Sequence, residues 1–178
     1  MEKDIAKKLF NEKEIQKRVK KIAAQIDKDY EGKKPTLIAI LKGSILFYSD
    51  LIRNMKTDVV LDFMQISSDG KGTTSGNIKF IKDADFSVEG KDILLVEDIV
   101  DSGKTIDYLI KALEIRKPNS IKVCTLLDKK VARKIPVQVD YACFEVGDEF
   151  VVGYGLDYAE IYRNLPFIGV LKEEIYNK

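Results

Sequence analysis

The chain has 178 residues, with 30 lysines and arginines against 29 aspartates and glutamates, and it contains no histidine. That length fits one domain with a sizeable core. The net charge of +1 gives no global field favouring nucleic acid or an anionic membrane. The lack of histidine excludes His-based catalysis and most zinc chemistry. Cys124 and Cys143 sit in apolar runs and read as reduced core residues rather than a disulfide framework. The start MEKDIAKKLF is too charged for a signal peptide, and no apolar run is long enough to span a bilayer, so a soluble cytoplasmic protein is expected.

Taken in order, Asn11 with Glu14 predicts a helix N-terminus, and Ile15, Val19, Ile22, Ala23 and Ile26 trace one helical face up to Gly32 and Pro35. Thr36–Leu41 (TLIAIL) reads as a buried strand, Lys42-Gly43-Ser44 as a turn, and Ile45–Met55 as a helix. Val59–Ile66 reads as a strand. The stretch SSDGKGTTSGN (Ser67–Asn77), with three glycines and five hydroxyl residues, buries nothing and reads as a loop before a return strand, Ile78–Ile81.

Ile93–Thr105, ILLVEDIVDSGKT, organises the chain. Ile93–Val96 predicts a buried strand, Glu97, Asp98 and Asp101 put three carboxylates within five positions, and Ser102–Thr105 makes a small polar turn before helical spacing from Ile106. A strand entering a helix through such a turn suits a phosphate. Carboxylates beside a phosphate need a ligand that separates the like charges, either sugar hydroxyls or a divalent cation. The P-loop pattern is not met, because its first glycine position holds Asp98. Further strands are predicted at Ile121–Leu127, Tyr141–Phe144 and Phe167–Leu171, with Glu149–Tyr154 continuing the same sheet. The alternation predicts an α/β protein with an open, mostly parallel twisted sheet flanked by helices and ligands at the strands' C-terminal ends.

VEDIVDSGKT, together with LKGS (Leu41–Ser44) and FVVGYGLDY (Phe150–Tyr158), resembles the signature motifs of the type I phosphoribosyltransferases, and the neighbouring residues are similar to the hypoxanthine-guanine branch. The resemblance implies transfer of a 5-phosphoribosyl group from 5-phosphoribosyl-1-pyrophosphate (PRPP) to a 6-oxopurine, with Mg²⁺, yielding IMP or GMP and pyrophosphate. It places Leu41, Lys42 and Gly43 at the pyrophosphate, often through a cis peptide between Leu41 and Lys42. Glu97 and Asp98 fall at the ribose or metal, Ile99 among the substrate-binding residues, Asp101 near the purine N7, and Ser102, Gly103, Lys104 and Thr105 at the 5′-phosphate. Lys129 meets the purine carbonyl, Phe150 its face and Val151 its edge. Asp157 is implied as a metal ligand with Glu97 and Asp98, and Arg163 as a pyrophosphate contact. Asp101, Ser68 and Lys129 are the implied catalytic residues. Ser68 matches the serine of the family's lid loop, but the partner tyrosine position holds Asp69. The resemblance further implies a single domain over residues 1–178, with a core at about 36–145 and a small hood from the N-terminal segment and about 146–178, in a homodimer or homotetramer.

Overall fold

The computed structural model describes residues 1–68 and 78–177. The chain runs β1 (Ile5–Phe10), α1 (Glu12–Asp29), β2 (Thr36–Leu41), α2 (Ile45–Asn54), β3 (Val60–Ser68), β4 (Ile78–Lys82), β5 (Asp92–Val100), α3 (Lys104–Glu114), β6 (Ser120–Asp128), β7 (Tyr141–Glu145), β8 (Val151–Val152), β9 (Ile168–Leu171) and α4 (Glu173–Tyr176). Six strands form one sheet in the order β4-β3-β2-β5-β6-β7, parallel except for the antiparallel β3–β4 pair. A second, antiparallel sheet has the order β1-β9-β8.

The near-continuous apolarity of β2 and β5 has a direct cause. Leu37, Ala39, Leu94 and Val96 pack on one face against α1 and α2 residues such as Ile15, Val19, Phe47 and Leu51. Ile38, Ile40, Ile93 and Leu95 pack on the other face with Leu109 and Leu113 of α3. A strand covered on both faces has no polar side to alternate with. At the start of α1, Asn11 accepts from the Glu14 amide (3.0 Å) and Glu14 from the Asn11 amide (2.8 Å), the reciprocal cap its spacing predicts.

Three expectations need correction. The apolar run Ile93–Val96 is only the middle of β5, which continues to Val100: Glu97, Ile99 and Val100 stay paired with Thr125, Leu127 and Asp128 of β6. Backbone pairing, not side-chain polarity, ends this strand, so Glu97 and Asp98 ride on the rigid sheet rather than on a loop. Glu149–Tyr154 does not extend the large sheet, and only Val151–Val152 is a strand, paired with β9. Gly153 (φ +98°) and Gly155 (φ +104°) turn the chain away, and a Cβ at either would stand about 2 Å from a backbone oxygen, Phe167 O or Gly43 O. β1 was not foreseen: three of its six residues are exposed, and among the described strands it pairs with β9 alone. The expected lid falls almost wholly outside the described residues, Asp69 included; Ser67 and Ser68 close β3, opposite Lys79 and Ile78. Among the described residues no helix is long and apolar enough to cross a membrane.

Candidate active site

The C-terminal ends of β2, β5 and β6 lie side by side, which is where a parallel sheet opens a ligand crevice. The parallel registers, Ala39 opposite Val96 and Val100 opposite Asp128, bring the 41–44 turn, the 97–105 segment and Lys129 to one edge. The Leu41–Lys42 peptide is cis. A Cβ on Gly43 would stand 1.7 Å from Asp98 Oδ2, so only glycine lets that carboxylate lie against the turn. The Cβ position of Gly155 is blocked in turn by Gly43 O at 2.0 Å. Two glycines far apart in sequence thus lock the 41–44, 97–98 and 153–157 segments together.

Glu97 is buried, 6% exposed, beside half-buried Asp98. Glu97 Oε1 accepts from the Asp98 amide (3.2 Å), while Oε2 has no partner. Burial, then the Asp98 charge, pushes the Glu97 carboxyl well above the usual range, and burial raises Asp98 as well. An orphaned oxygen in a buried acid pair fits a divalent cation or a pair of sugar hydroxyls, either of which would satisfy it. Mg²⁺ is commonly held by one or two carboxylates plus substrate phosphates and waters. Glu97 and Asp98 meet that requirement.

The turn after β5 is strapped from behind. Gly103 (φ +82°) caps α3, and its Cβ would lie 2.4 Å from Ile135 O. The amides of Lys134 and Ile135 both donate to Ser102 O, at 3.0 and 2.9 Å. Arg133 donates to Asp101 O (2.9 Å), Val100 O (3.2 Å), Val137 O (3.3 Å) and the buried carboxylate of Asp128. Sequence reasoning missed Arg133; in KKVARK it looks like one basic residue among four. The Ser102 amide donates to the exposed Asp101 carboxylate, and Ser102 Oγ accepts from the Lys104 amide (3.5 Å), so Ser102 has its O–H, and not its N–H, left for a ligand. The first amides of α3 have no intrahelical acceptor and carry the positive end of the helix dipole.

A cleft of about 250 Å³ opens beside this turn. It brings together Asp98, Ile99, Asp101, Lys129, Phe150, Val151 and Asp157, all expected site residues, with Glu149 and Leu156, which were not foreseen. Lys129 is only 15% exposed, and Nζ donates to Asp148 O and Glu149 O, both at 3.0 Å. Nζ also lies 3.4 Å from Asp148 Oδ1, so an incoming carbonyl oxygen would take its third donor from that exposed carboxylate. β8 is the edge of its sheet. Phe150 O accepts from Leu171 N (2.9 Å), so by strand alternation the backbone groups of Val151 face the open edge.

Lys42 and Arg163 are already engaged. Lys42 Nζ meets Glu160 Oε2 at 3.1 Å, and Arg163 contacts Glu160 Oε1 (3.4 Å), Asp157 Oδ1 (2.7 Å) and Gly155 O (2.8 Å). Asp157 Oδ2 also accepts from the Glu160 amide (2.9 Å). The turn is tightly wound, with Ala159, Glu160 and Tyr162 all at positive φ. Asp157 therefore holds a guanidinium here and would have to exchange it to bind a metal. Glu160, which bridges the two expected pyrophosphate cations, carries no motif signal. Leu41 and Thr105 lie at the same edge, half-buried, and Lys104 is exposed.

The sequence matches the phosphoribosyl transferase domain family over residues 6–159, and the chain belongs to that family. It is 48% identical over 179 aligned positions to the hypoxanthine-guanine phosphoribosyltransferase of Streptococcus thermophilus, covering all of this chain and 99% of that one. Among solved structures it resembles a hypoxanthine phosphoribosyltransferase from Staphylococcus aureus, at 46% identity and TM-score 0.95 over 100% of this chain and 97% of that one. It also resembles a hypoxanthine-guanine phosphoribosyltransferase from Bacillus anthracis carrying HEPES in the active site, at 47% identity and TM-score 0.90 over 94% of this chain and 99% of that one.

Proposed function

We propose that this chain is a purine salvage enzyme that moves the 5-phosphoribosyl group of PRPP to hypoxanthine or guanine, giving IMP or GMP and pyrophosphate. The observation that carries the reading is the cleft itself. The Lys129 ammonium, the Phe150 ring and the free backbone edge of Val151 converge within reach of the acid pair and the 101–105 turn. A planar base with an exocyclic oxygen, attached to a phosphorylated sugar, uses all of these at once. Relatives at 48% identity over the full chain carry the same activity in their names.

Each side chain has a defined task in this reaction. Gly103–Thr105 and the Ser102 hydroxyl hold the 5′-phosphate at the α3 N-terminus. Glu97 and Asp98 hold the ribose hydroxyls or the metal. Bound Mg²⁺ supplies Lewis-acid stabilisation of the pyrophosphate leaving group. Lys42 and Arg163 take the pyrophosphate oxygens, and Asp157 would join Glu97 and Asp98 in holding the metal once its pair with Arg163 is released. The C1′–oxygen bond breaks as positive charge develops on the ribose ring, as in glycoside cleavage. Asp101 accepts the purine N7 proton as N9 bonds to C1′ and pyrophosphate leaves. Lys129 polarises the purine carbonyl; its lack of an acceptor disfavours adenine, whose amine has no oxygen to receive it. Ser68 belongs to the lid that covers the reacting sugar and excludes water.

The same reading includes a single domain over residues 1–178, with β1, β8 and β9 in a small hood, a cytoplasmic setting, and a homodimer or homotetramer. The exposed side chains of Ile45 and Leu46 on α2 offer apolar surface for such assembly. A panel of bases with Mg²⁺-PRPP tests the reading. Activity with hypoxanthine or guanine and none with adenine or orotate is the expected result. No activity with any base, despite PRPP binding, would point to a nucleotide sensor built on the same fold.

A further inference from the structure

We infer that Tyr176, in the last turn of the chain, is a positioning residue for the acceptor base: its ring backs Phe150 and fixes the plane on which the base stacks. The inference rests on the reading above that the cleft takes a purine on Phe150.

The Tyr176 and Phe150 rings lie 4.8 Å apart between centroids at an interplanar angle of 23°, an offset stack. Tyr158 meets Phe150 edge-on at 5.6 Å and 88°, and stands 6.5 Å from Tyr176. These three separations set Tyr158 and Tyr176 nearly at right angles about Phe150. Tyr176 therefore covers one face of Phe150, Tyr158 meets the ring edge-on, and among the described residues no further ring is stacked on the opposite face. Phe150 lines the cleft, Tyr176 and Tyr158 do not, and Phe150 remains 36% exposed although one face is stacked. The opposite face is the one available to a base, which would complete a three-ring stack of base, Phe150 and Tyr176.

The scaffold brings the C-terminus back for this contact. The Leu171 amide donates to Phe150 O at 2.9 Å, so β9 leaves its sheet opposite the platform residue. The Lys172 amide then donates to Asp4 O (3.0 Å), and the Ile175 amide to Lys172 O (3.0 Å), reversing the chain. Ile175 and Tyr176 pack onto the cluster of Val152, Tyr162, Leu165, Phe167 and Leu171, while Glu173 and Glu174 face solvent. Phe150 follows the exposed stretch Gly147–Glu149, and no other ring is stacked face to face on it among the described residues. Without Tyr176 its χ angles lose their backing on the side away from the cleft.

The test is steady-state kinetics on three full-length variants, Tyr176→Ala, Tyr176→Phe and Phe150→Leu, each checked for wild-type melting temperature and oligomeric mass. Tyr176→Ala should raise KM for hypoxanthine about three- to tenfold, the size of one aromatic stacking contact. Its kcat and KM for PRPP should stay within about twofold of wild type. Tyr176→Phe should restore the base KM, because the contact is made by the ring face. An unchanged or lowered base KM in Tyr176→Ala, with a raised one in Phe150→Leu, overturns the role of Tyr176 and leaves the platform standing. An unchanged base KM in Phe150→Leu overturns the platform reading itself. If Tyr176→Ala instead lowers kcat, raises both KM values and melts early or changes mass, the C-terminal turn serves the fold at large and the inference fails.

Discussion

At the end of β5, Glu97 and Asp98 set two carboxyl groups side by side in a buried corner, with one carboxyl oxygen unsatisfied. At the 157–163 turn, Asp157, Glu160, Arg163 and Lys42 link opposite charges within contact distance, and Lys42 and Glu160 are largely exposed. The first region lowers its repulsion only by holding a proton on Glu97, and a bound cation or hydroxyl would relieve the same cost. The second neutralises itself already, so a pyrophosphate bound as proposed would have to displace Glu160 from its cations. One end of the site stores an electrostatic cost that the ligand relieves, and the other makes the ligand compete. The contrast follows from the backbone: Glu97 is held in a paired strand with no freedom to turn outward, whereas the 157–163 turn bends enough to fold its acids onto its own arginine.

The largest effect belongs to the β5 side. Asp101→Asn should lower turnover about 10²–10⁴-fold, the usual worth of a positioned proton transfer, while PRPP binding by calorimetry stays near wild type. A variant within about threefold of wild-type kcat would remove Asp101 from proton handling. Arg133→Met follows. It leaves the buried Asp128 carboxylate without its guanidinium, and breaking a buried pair costs about 3–5 kcal/mol, readable as a lower urea midpoint. The surviving folded enzyme should also lose kcat, because the carbonyls of Val100 and Asp101 lose their tether.

Glu97 gives the pH test of the stored cost. Its folded carboxyl keeps its proton above the ordinary 4.5, so over that interval the folded chain binds more protons than the unfolded one. Stability of the ligand-free protein should therefore decline as pH rises from about 4.5 through Glu97's raised range. Glu97→Gln should flatten that decline and raise the neutral-pH melting temperature by about 3 °C, roughly the shift 1 kcal/mol gives in a domain of this size. The same variant should lose much of the further rise that Mg²⁺-PRPP produces. A steeper decline in the variant would show that the pair is not under electrostatic cost. The smallest effect belongs to the self-neutralised side. Glu160→Gln should lower KM for PRPP by only about two- to threefold, and less at high salt, because exposed ion pairs are screened. A raised KM would mean Glu160 holds the turn in shape instead of competing with the substrate.

What could be read in advance was chemistry carried by contiguous residues. Thr36–Leu41 and Ile93–Val96 announce buried strands because each is sandwiched between two apolar layers, and Asn11 with Glu14 announces a helix start because the cap closes within one turn. VEDIVDSGKT holds its acids and its phosphate turn within one strand–turn–helix, so their proximity is a matter of chain geometry alone. Phe150, Val151, Asp157 and Arg163 were legible only through motif resemblance, since nothing local distinguishes Phe150 from a core phenylalanine.

Tertiary structure decided the remainder. It carried β5 past Val96 by pairing Glu97 with Thr125 in β6, and it drew residues 151–152 out of the large sheet by pairing them with β9. It also made Arg133 a strap, set Glu160 between two cations, and returned Tyr176 to the back of Phe150. Each of these joins segments distant in the chain, where no periodicity or spacing carries the information. Local sequence determines which way a side chain alternates and where a helix can begin; which distant partner completes it is set by the packing of the whole fold.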